Sequence, residues 1–183
     1  MMKKVYVYLA KGFEEVEALT VVDLLRRAKV QTDMVSITGS LQVTGSHGIQ
    51  VQADVLFADA RISEADALVL PGGMPGTRNL QAYAPLIEAL QQANETGKLV
   101  CAICAAPLVL GLNHLLENKK ASCYPGFEKD LLGAKVSVDP VSKDGNIITS
   151  RGLGTAIAFA GEIIASLLDE QAANDIKEAI IYA

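Results

Sequence analysis

The sequence predicts an α/β protein built on one doubly wound, mostly parallel sheet, with helices on both faces and an antiparallel hairpin at the edge. Two observations carry this. Short apolar runs with strand character alternate with helical stretches, and parallel strands joined by crossover helices are what such alternation describes. Half of the 183 residues are hydrophobic, yet only 5% are aromatic and none is Trp, so the core must be made of Ala, Val, Leu and Ile packed between layers. At this length a single domain over 1–183 is expected.

The first strand covers 3–9. Its position near the start resembles a signal peptide, but Tyr6, Tyr8 and Lys11 break the apolar run and no small-residue cleavage site follows. EEVEALTVVDLLRRA (14–28) has helical spacing and TDMVSI (32–37) reads as the next strand. LQVTGSHGIQVQADV (41–55) interrupts the rhythm, because two alternating runs flank Gly45-Ser46-His47-Gly48 as in a hairpin at a sheet edge. Alternation resumes with strand DALVLPGG (66–73), helix PLIEALQQANETG (85–97), strand KLVCAI (98–103) and helix AAPLVLGLNHLL (105–116). Strands at ASCY (121–124) and 147–150 precede a helix TAIAFAGEIIASLL (155–168) and a C-terminal helix from about 170. The pattern is that of a flavodoxin-like sheet.

Bulk properties exclude several function classes. A net charge of −5 with scattered Lys and Arg gives no basic footprint, so strong nucleic-acid binding is not expected. No stretch approaches the roughly 20 apolar residues that span a bilayer. Three cysteines without paired spacing argue against a disulfide framework and for a reducing compartment, the cytoplasm by default. Cys101 and Cys104 have the C-x-x-C form, but Cys101 falls within an apolar strand and, like Cys123, reads as a packing residue.

In an open parallel sheet, function gathers past the carboxyl ends of the strands. Three ends are unusual: AKGFEEVE, PGGMPG and AICAAP. In the last, Ala102 and Ala106 flank Cys104 with the spacing of a nucleophile elbow, and Pro107 opens the following helix. Unpaired N–H groups and a helix N-terminus at such a turn are expected to lower the thiol pKa. Gly72 and Gly73 could form a plain turn; at a strand end they also let backbone approach a ligand, so the amides of Gly73 and Ala105 are candidate oxyanion donors. Glu14, Glu15 and Glu17 share a first helical turn, where the dipole alone accounts for two of them. Glu17 heads a stripe continued by Val21, Leu24 and Ala28, so it faces the sheet, where burial should raise its pKa. Neither His47, in the hairpin turn, nor His114, well along a helix, is placed as a base for Cys104. With no ligand-spaced Cys, Asp or Glu around them they suggest no metal site, and no cofactor is expected. TSRGLGTA (149–156) lacks the phosphate-loop pattern, and Thr155 is read as a helix cap.

AKGFEEVE, VVDLLRRA, LPGGMPG, AICAAP and SRGLGTA, in this order, resemble the ThiJ/PfpI superfamily in its Parkinson-disease-protein (DJ-one) branch, across nearly the whole chain. The resemblance implies a flavodoxin-like homodimer, an oxidation-sensitive cysteine at Cys104, a buried glutamate partner at Glu17 and oxyanion amides at Gly73 and Ala105. It further implies a glyoxalase or deglycase acting on methylglyoxal or glyoxal and their adducts, or else a redox sensor or holdase using the oxidation state of Cys104. Gly72 and Tyr124 would line the pocket. Many relatives carry a histidine where this chain has Tyr124, a poor base near neutral pH, which disfavours a protease-like Cys-His dyad. His47 stands where the best-known relative has arginine, which removes a cation from an anion site beside the dimer partner, with Arg27.

Overall fold

In the computed structural model, residues 2–182 are described. The chain runs β1 (Lys4–Leu9), α1 (Glu15–Arg27), β2 (Gln31–Ser36), β3 (Gln42–Thr44), β4 (Gln50–Gln52), β5 (Val55–Leu56), β6 (Ala67–Leu70), α2 (Gly76–Gln81), α3 (Ala84–Glu95), β7 (Leu99–Ile103) and α4 (Pro107–Leu112). It continues through β8 (Lys120–Ala121), β9 (Lys135–Val136), β10 (Val141–Asp144), β11 (Ile147–Ser150), α5 (Ala156–Leu167) and α6 (Glu170–Ala179). Seven strands form one sheet in the order β10-β11-β7-β6-β1-β2-β5, parallel throughout except for β10 against β11. This is the flavodoxin-like α/β class that the alternation predicts.

Period-two alternation divides the core into two layers. Val5, Val7 and Leu9 of β1, with Cys101 and Ile103 of β7, pack under α1, α5 and α6. Tyr6, Tyr8, Val100 and Ala102 point the other way, under α2, α3 and α4. Both faces are covered, which is why the central strands are almost wholly apolar. Ile163 of α5 is fully buried in the first layer. Ile163→Val should cost about 1 kcal/mol, read as a melting point lower by about 2–4 °C; a larger loss would mean that the layer stays open around the missing methylene instead of closing on it. No helix among the described residues is long and apolar enough to cross a membrane.

Four expectations are corrected. The 41–55 hairpin is a separate two-stranded sheet, β3 with β4, docked on the start of α1; β5 takes the main sheet's edge instead. The helix predicted over 105–116 ends at Leu112, because His114 adopts a left-handed φ of 59° and Asn113 Nδ2 donates back to the Val109 carbonyl. Of ASCY only Ala121 is strand, closing the two-residue β8 that pairs with β9; Ser122 N donates instead to Thr149 Oγ1. Thr155 does not cap α5 with its side chain; its hydroxyl instead accepts from Gly152 N at 3.1 Å, closing the 3-10 turn before that helix, and lies 2.6 Å from Ser150 Oγ.

Candidate active site

The strand order sets the carboxyl ends of β7, β6 and β1 side by side, so the segments after them meet. Cys104 follows β7 with φ at 65°, a left-handed conformation uncommon for a residue with a Cβ. The turn is held from both sides: Cys104 N donates to Ser150 O at 2.9 Å and Tyr124 N donates to Cys104 O at 2.8 Å. Such strain persists only where surrounding structure over-determines it. The side chain is thereby lifted out of the sheet and only partly buried, whereas Cys101 and Cys123 are buried.

Glu17, 1% exposed, reaches this thiol from the first turn of α1. Its Oε2 accepts from Gly72 N at 2.8 Å, and its carboxyl lies beside Cys104, close enough for the two groups to shift each other's pKa. Gly72 allows that approach: a Cβ there would stand 2.6 Å from Cys104 Cβ and 2.7 Å from Glu17 Oε2. Gly73 has φ at 88°, and a Cβ on it would meet Glu14 N at 2.4 Å. The amides of Ala105 and Gly73 face the Cys104 sulfur and favour its charged form. The structure therefore brings Cys104, Glu17, Gly72, Gly73 and Ala105 into one contact group.

The electrostatics differ in one respect from the sequence expectation. Burial raises the Glu17 carboxyl to about 7, against the bonds from Gly72 and Cys104 that favour its charge. The Cys104 thiol is also raised, to about 12, rather than lowered. Burial is the main cause, then the negative charge of Glu17 and the bond to it; the two amides pull the other way but are outweighed. The six-residue α4 adds only a short dipole. A negative charge in this pocket is favoured on either group only when the other keeps a proton, so the two titrate as a pair.

Raising Glu17 has a consequence for stability. Between its ordinary value of 4.5 and about 7 the native state keeps a proton that the unfolded chain has released, so stability falls as pH rises through that window. The linked cost is roughly 3 kcal/mol. Glu17→Gln should flatten the fall, measured by urea unfolding at about pH 5 and about pH 7.5; an equal fall in both proteins would locate the titration elsewhere.

Beside the thiol lies an open depression of about 450 Å³ lined by Tyr124, Pro140, Arg151, Gly152 and Leu153. It meets the sulfur at Gly152, where a Cβ would sit 4.0 Å from Cys104 Sγ and 3.2 Å from the Tyr124 ring. Gly152 and Ser150 were missed as site residues by the chemical reading, which treated TSRGLGTA only as a failed phosphate loop. Their signal was positional, since they follow a strand adjacent to the one that carries Cys104.

Neither histidine joins this group. His114 is exposed beside Glu117, 3.3 Å away. His47 sits on the 45–49 turn, where its Nδ1 lies 3.0 Å from Glu15 Oε2 and 3.5 Å from Glu14 Oε1. The fold thus gives His47 carboxylate neighbours that chain spacing did not reveal, with donor atoms of Glu14, Glu15 and His47 all within 4.8 Å. Arg27, exposed, pairs with Asp23 at the other end of α1.

The DJ-1/PfpI family profile matches residues 3–166. Among curated proteins the chain is 37% identical over 181 residues to protein DJ-1 homolog B of Arabidopsis thaliana, covering 98% of this chain and 41% of that one. It spans under half the length of the two Arabidopsis relatives it matches. Protein dj-1beta of Drosophila melanogaster is 34% identical, with 100% of this chain and 99% of that one covered. A protein of Pyrococcus abyssi named a deglycase is 31% identical over 163 residues, 88% of this chain and 97% of that one. Among solved structures, a DJ-1 superfamily protein from Salmonella typhimurium superposes with a TM-score of 0.95 at 36% identity, covering 100% of both chains. Oxidized Toxoplasma gondii DJ-1 does so with 0.95 at 35% identity and 99% of each chain.

Proposed function

Because the chain belongs to the DJ-1/PfpI family, we propose that it is a cysteine-dependent glyoxalase or deglycase acting on methylglyoxal or glyoxal and on their adducts. The observation that carries this is the Cys104 sulfur on a strained turn, facing two backbone N–H donors and a hydrogen-bonded carboxyl. The Pyrococcus relative named a deglycase supports the reaction class.

With its proton on Glu17, the pair presents a thiolate beside a neutral acid, and the repulsion that otherwise opposes the thiolate is absent. The sulfur adds to the aldehyde carbon of methylglyoxal, forming a C–S bond while the C=O pair moves to oxygen. Gly73 and Ala105 N–H groups stabilise that oxygen until Glu17 protonates it. The Glu17 carboxylate then removes the proton from the former aldehyde carbon and returns it to the neighbouring carbon, while the hydroxyl proton passes to the neighbouring ketone oxygen and the first oxygen regains its C=O bond, leaving a lactoyl thioester. Water cleaves the thioester, giving lactate and the free thiol; the net reaction is methylglyoxal plus water to lactate. A raised carboxyl pKa suits this work, because Glu17 must both donate and accept near neutral pH.

Purified protein should convert methylglyoxal to lactate, and Glu17→Ala should lower turnover by about a hundredfold or more. Turnover unchanged in that variant would sink the reading. A second reading, a redox sensor or holdase, is favoured by the partly accessible Cys104 within reach of donors able to hold a sulfenate or sulfinate oxygen. It predicts no lactate, but a mass gain confined to Cys104 under mild peroxide.

A second copy of the chain is the partner we propose. Val16 and Leu19 are 47% and 36% exposed on α1. A groove of about 420 Å³ beside them is lined by Leu19, Leu24, Arg27, Ile157 and Ile180. Sedimentation should give a dimer at micromolar concentration, and Leu19→Asp should shift it to monomer; a wild-type monomer would dismiss the dimer.

A further inference from the structure

Glu15 is buried, 2% exposed, and takes no part in the chemistry above. A carboxylate in a first helical turn needs only the dipole to explain it when it points to water; this one points into protein. Its Oε1 accepts from His47 N at 2.8 Å and from Ile49 N at 3.3 Å. Its Oε2 accepts from Ser46 Oγ at 3.2 Å and lies 3.0 Å from His47 Nδ1. These bonds hold its carboxyl down to about 2 despite burial, and they raise the pKa of the His47 imidazole. Gly45 makes room, since a Cβ there would fall within van der Waals contact of the Glu15 carboxyl at 2.3 Å.

The start of α1 has no side-chain cap: Glu14 is at the N-cap position and makes no capping bond. The turn carrying Glu17 is fastened from outside instead. On the Cys104 side, Glu14 N donates to Gly72 O at 2.9 Å and Gly72 N donates to Glu17 Oε2 at 2.8 Å. On the opposite side the 45–49 turn holds it, through Gly12 N to Thr44 O and Ser46 N to Phe13 O, each 2.8 Å, and through the four contacts of Glu15. Glu15 and Glu17 are two residues apart, about 200° around the helix, so each grips a different neighbour.

We infer that Glu15 is a positioning residue for the reaction: by anchoring the 45–49 turn to the uncapped start of α1, it holds Glu17 against Gly72 and Cys104. This rests on the reading of Cys104 and Glu17 as the reacting pair. Without the anchor, the first turn of α1 frays, as uncapped helix ends do, and Glu17 leaves the pocket for water. The charged and titratable groups around the anchor are Glu14 and His47, with Glu17 on the far side of the same turn.

The test is the rate of Cys104 alkylation by iodoacetamide against pH in wild type, Glu17→Gln, Glu15→Ala and Glu15→Gln, with circular dichroism reporting the fold. The limb present in wild type and absent in Glu17→Gln belongs to Glu17. In Glu15→Ala that limb should move down by one pH unit or more, toward an ordinary carboxyl, and lactate production should fall about tenfold in kcat with little change in KM. Glu15→Gln keeps one acceptor oxygen and should recover part of both. A folded Glu15→Ala with the wild-type limb overturns the inference. If Glu15→Ala does not fold, Glu15→Gln decides: a limb displaced in the same direction supports the anchor, and an unmoved one overturns it. Identical profiles in wild type and Glu17→Gln would instead refute the reacting pair itself.

Discussion

Cys104→Ser should lower lactate formation from methylglyoxal by at least about a thousandfold, a loss of roughly 4 kcal/mol in transition-state stabilisation. Serine is nearly isosteric and the position is not fully buried, so the fold should survive and the melting point should move little. What disappears is the nucleophile. A hydroxyl becomes useful only beside a strong base, and both histidines lie elsewhere, His47 against Glu15 and His114 against Glu117. Glu17, raised only to about 7, can exchange a proton with a thiol far more readily than with an alcohol. The measurement is lactate by enzymatic assay under single-turnover and steady-state conditions. Residual turnover within tenfold of wild type would show that the aldehyde is activated without covalent attachment, and the thioester route would have to be abandoned.

Gly72→Ala should be nearly as damaging by a different route. The added methyl would stand 2.6 Å from Cys104 Cβ, 2.7 Å from Glu17 Oε2 and 3.1 Å from Cys104 Sγ. Two of those neighbours are the reacting groups, and the third is the Cβ of a residue whose backbone is pinned by Ser150 and Tyr124. The softest response is for the Glu17 carboxyl to withdraw, which leaves Gly72 N without its acceptor. Overpacking together with a lost bond to a buried carboxyl should cost about 2–3 kcal/mol of stability, and turnover should fall about a hundredfold or more with Glu17 displaced. Urea unfolding and the lactate assay read the two losses separately. A variant with wild-type kcat would mean that the contact between Glu17 and Cys104 is dispensable.

Much of this was legible in the sequence where the cause is local. Alternating strand and helix periods located the central strands within a residue or two, except that the 66–73 run overshoots the end of β6 at Leu70 by three, and elbow spacing around Cys104 pointed to a turn that has the left-handed φ such a motif needs. What escaped depends on distant docking. The sign of the Cys104 shift is set by how much water the closed pocket excludes and by a carboxylate from another element, neither visible in AICAAP. Glu15 looked like a dipole carboxylate because nothing near it in the chain shows that the 45–49 turn folds onto it. The β10–β11 hairpin was partly missed although Asp144-Gly145 carries a hairpin turn signal; its first strand, VSKD, is too polar to stand out.

The elbow's two outer bonds also define the smallest piece of chain that could work. Glu17, Gly72, Gly73, Cys104 and Ala105 all fall within the first 112 residues, a stretch that ends with α4. A fragment cut after Leu112 would keep every reacting group and lose both Tyr124 N and Ser150 O, the partners that hold Cys104 in its strained turn. Possession of the residues and possession of the site are therefore separable in this fold: the last third of the chain contributes no atom to the proposed bond-making steps, yet it keeps the Cys104 turn in place.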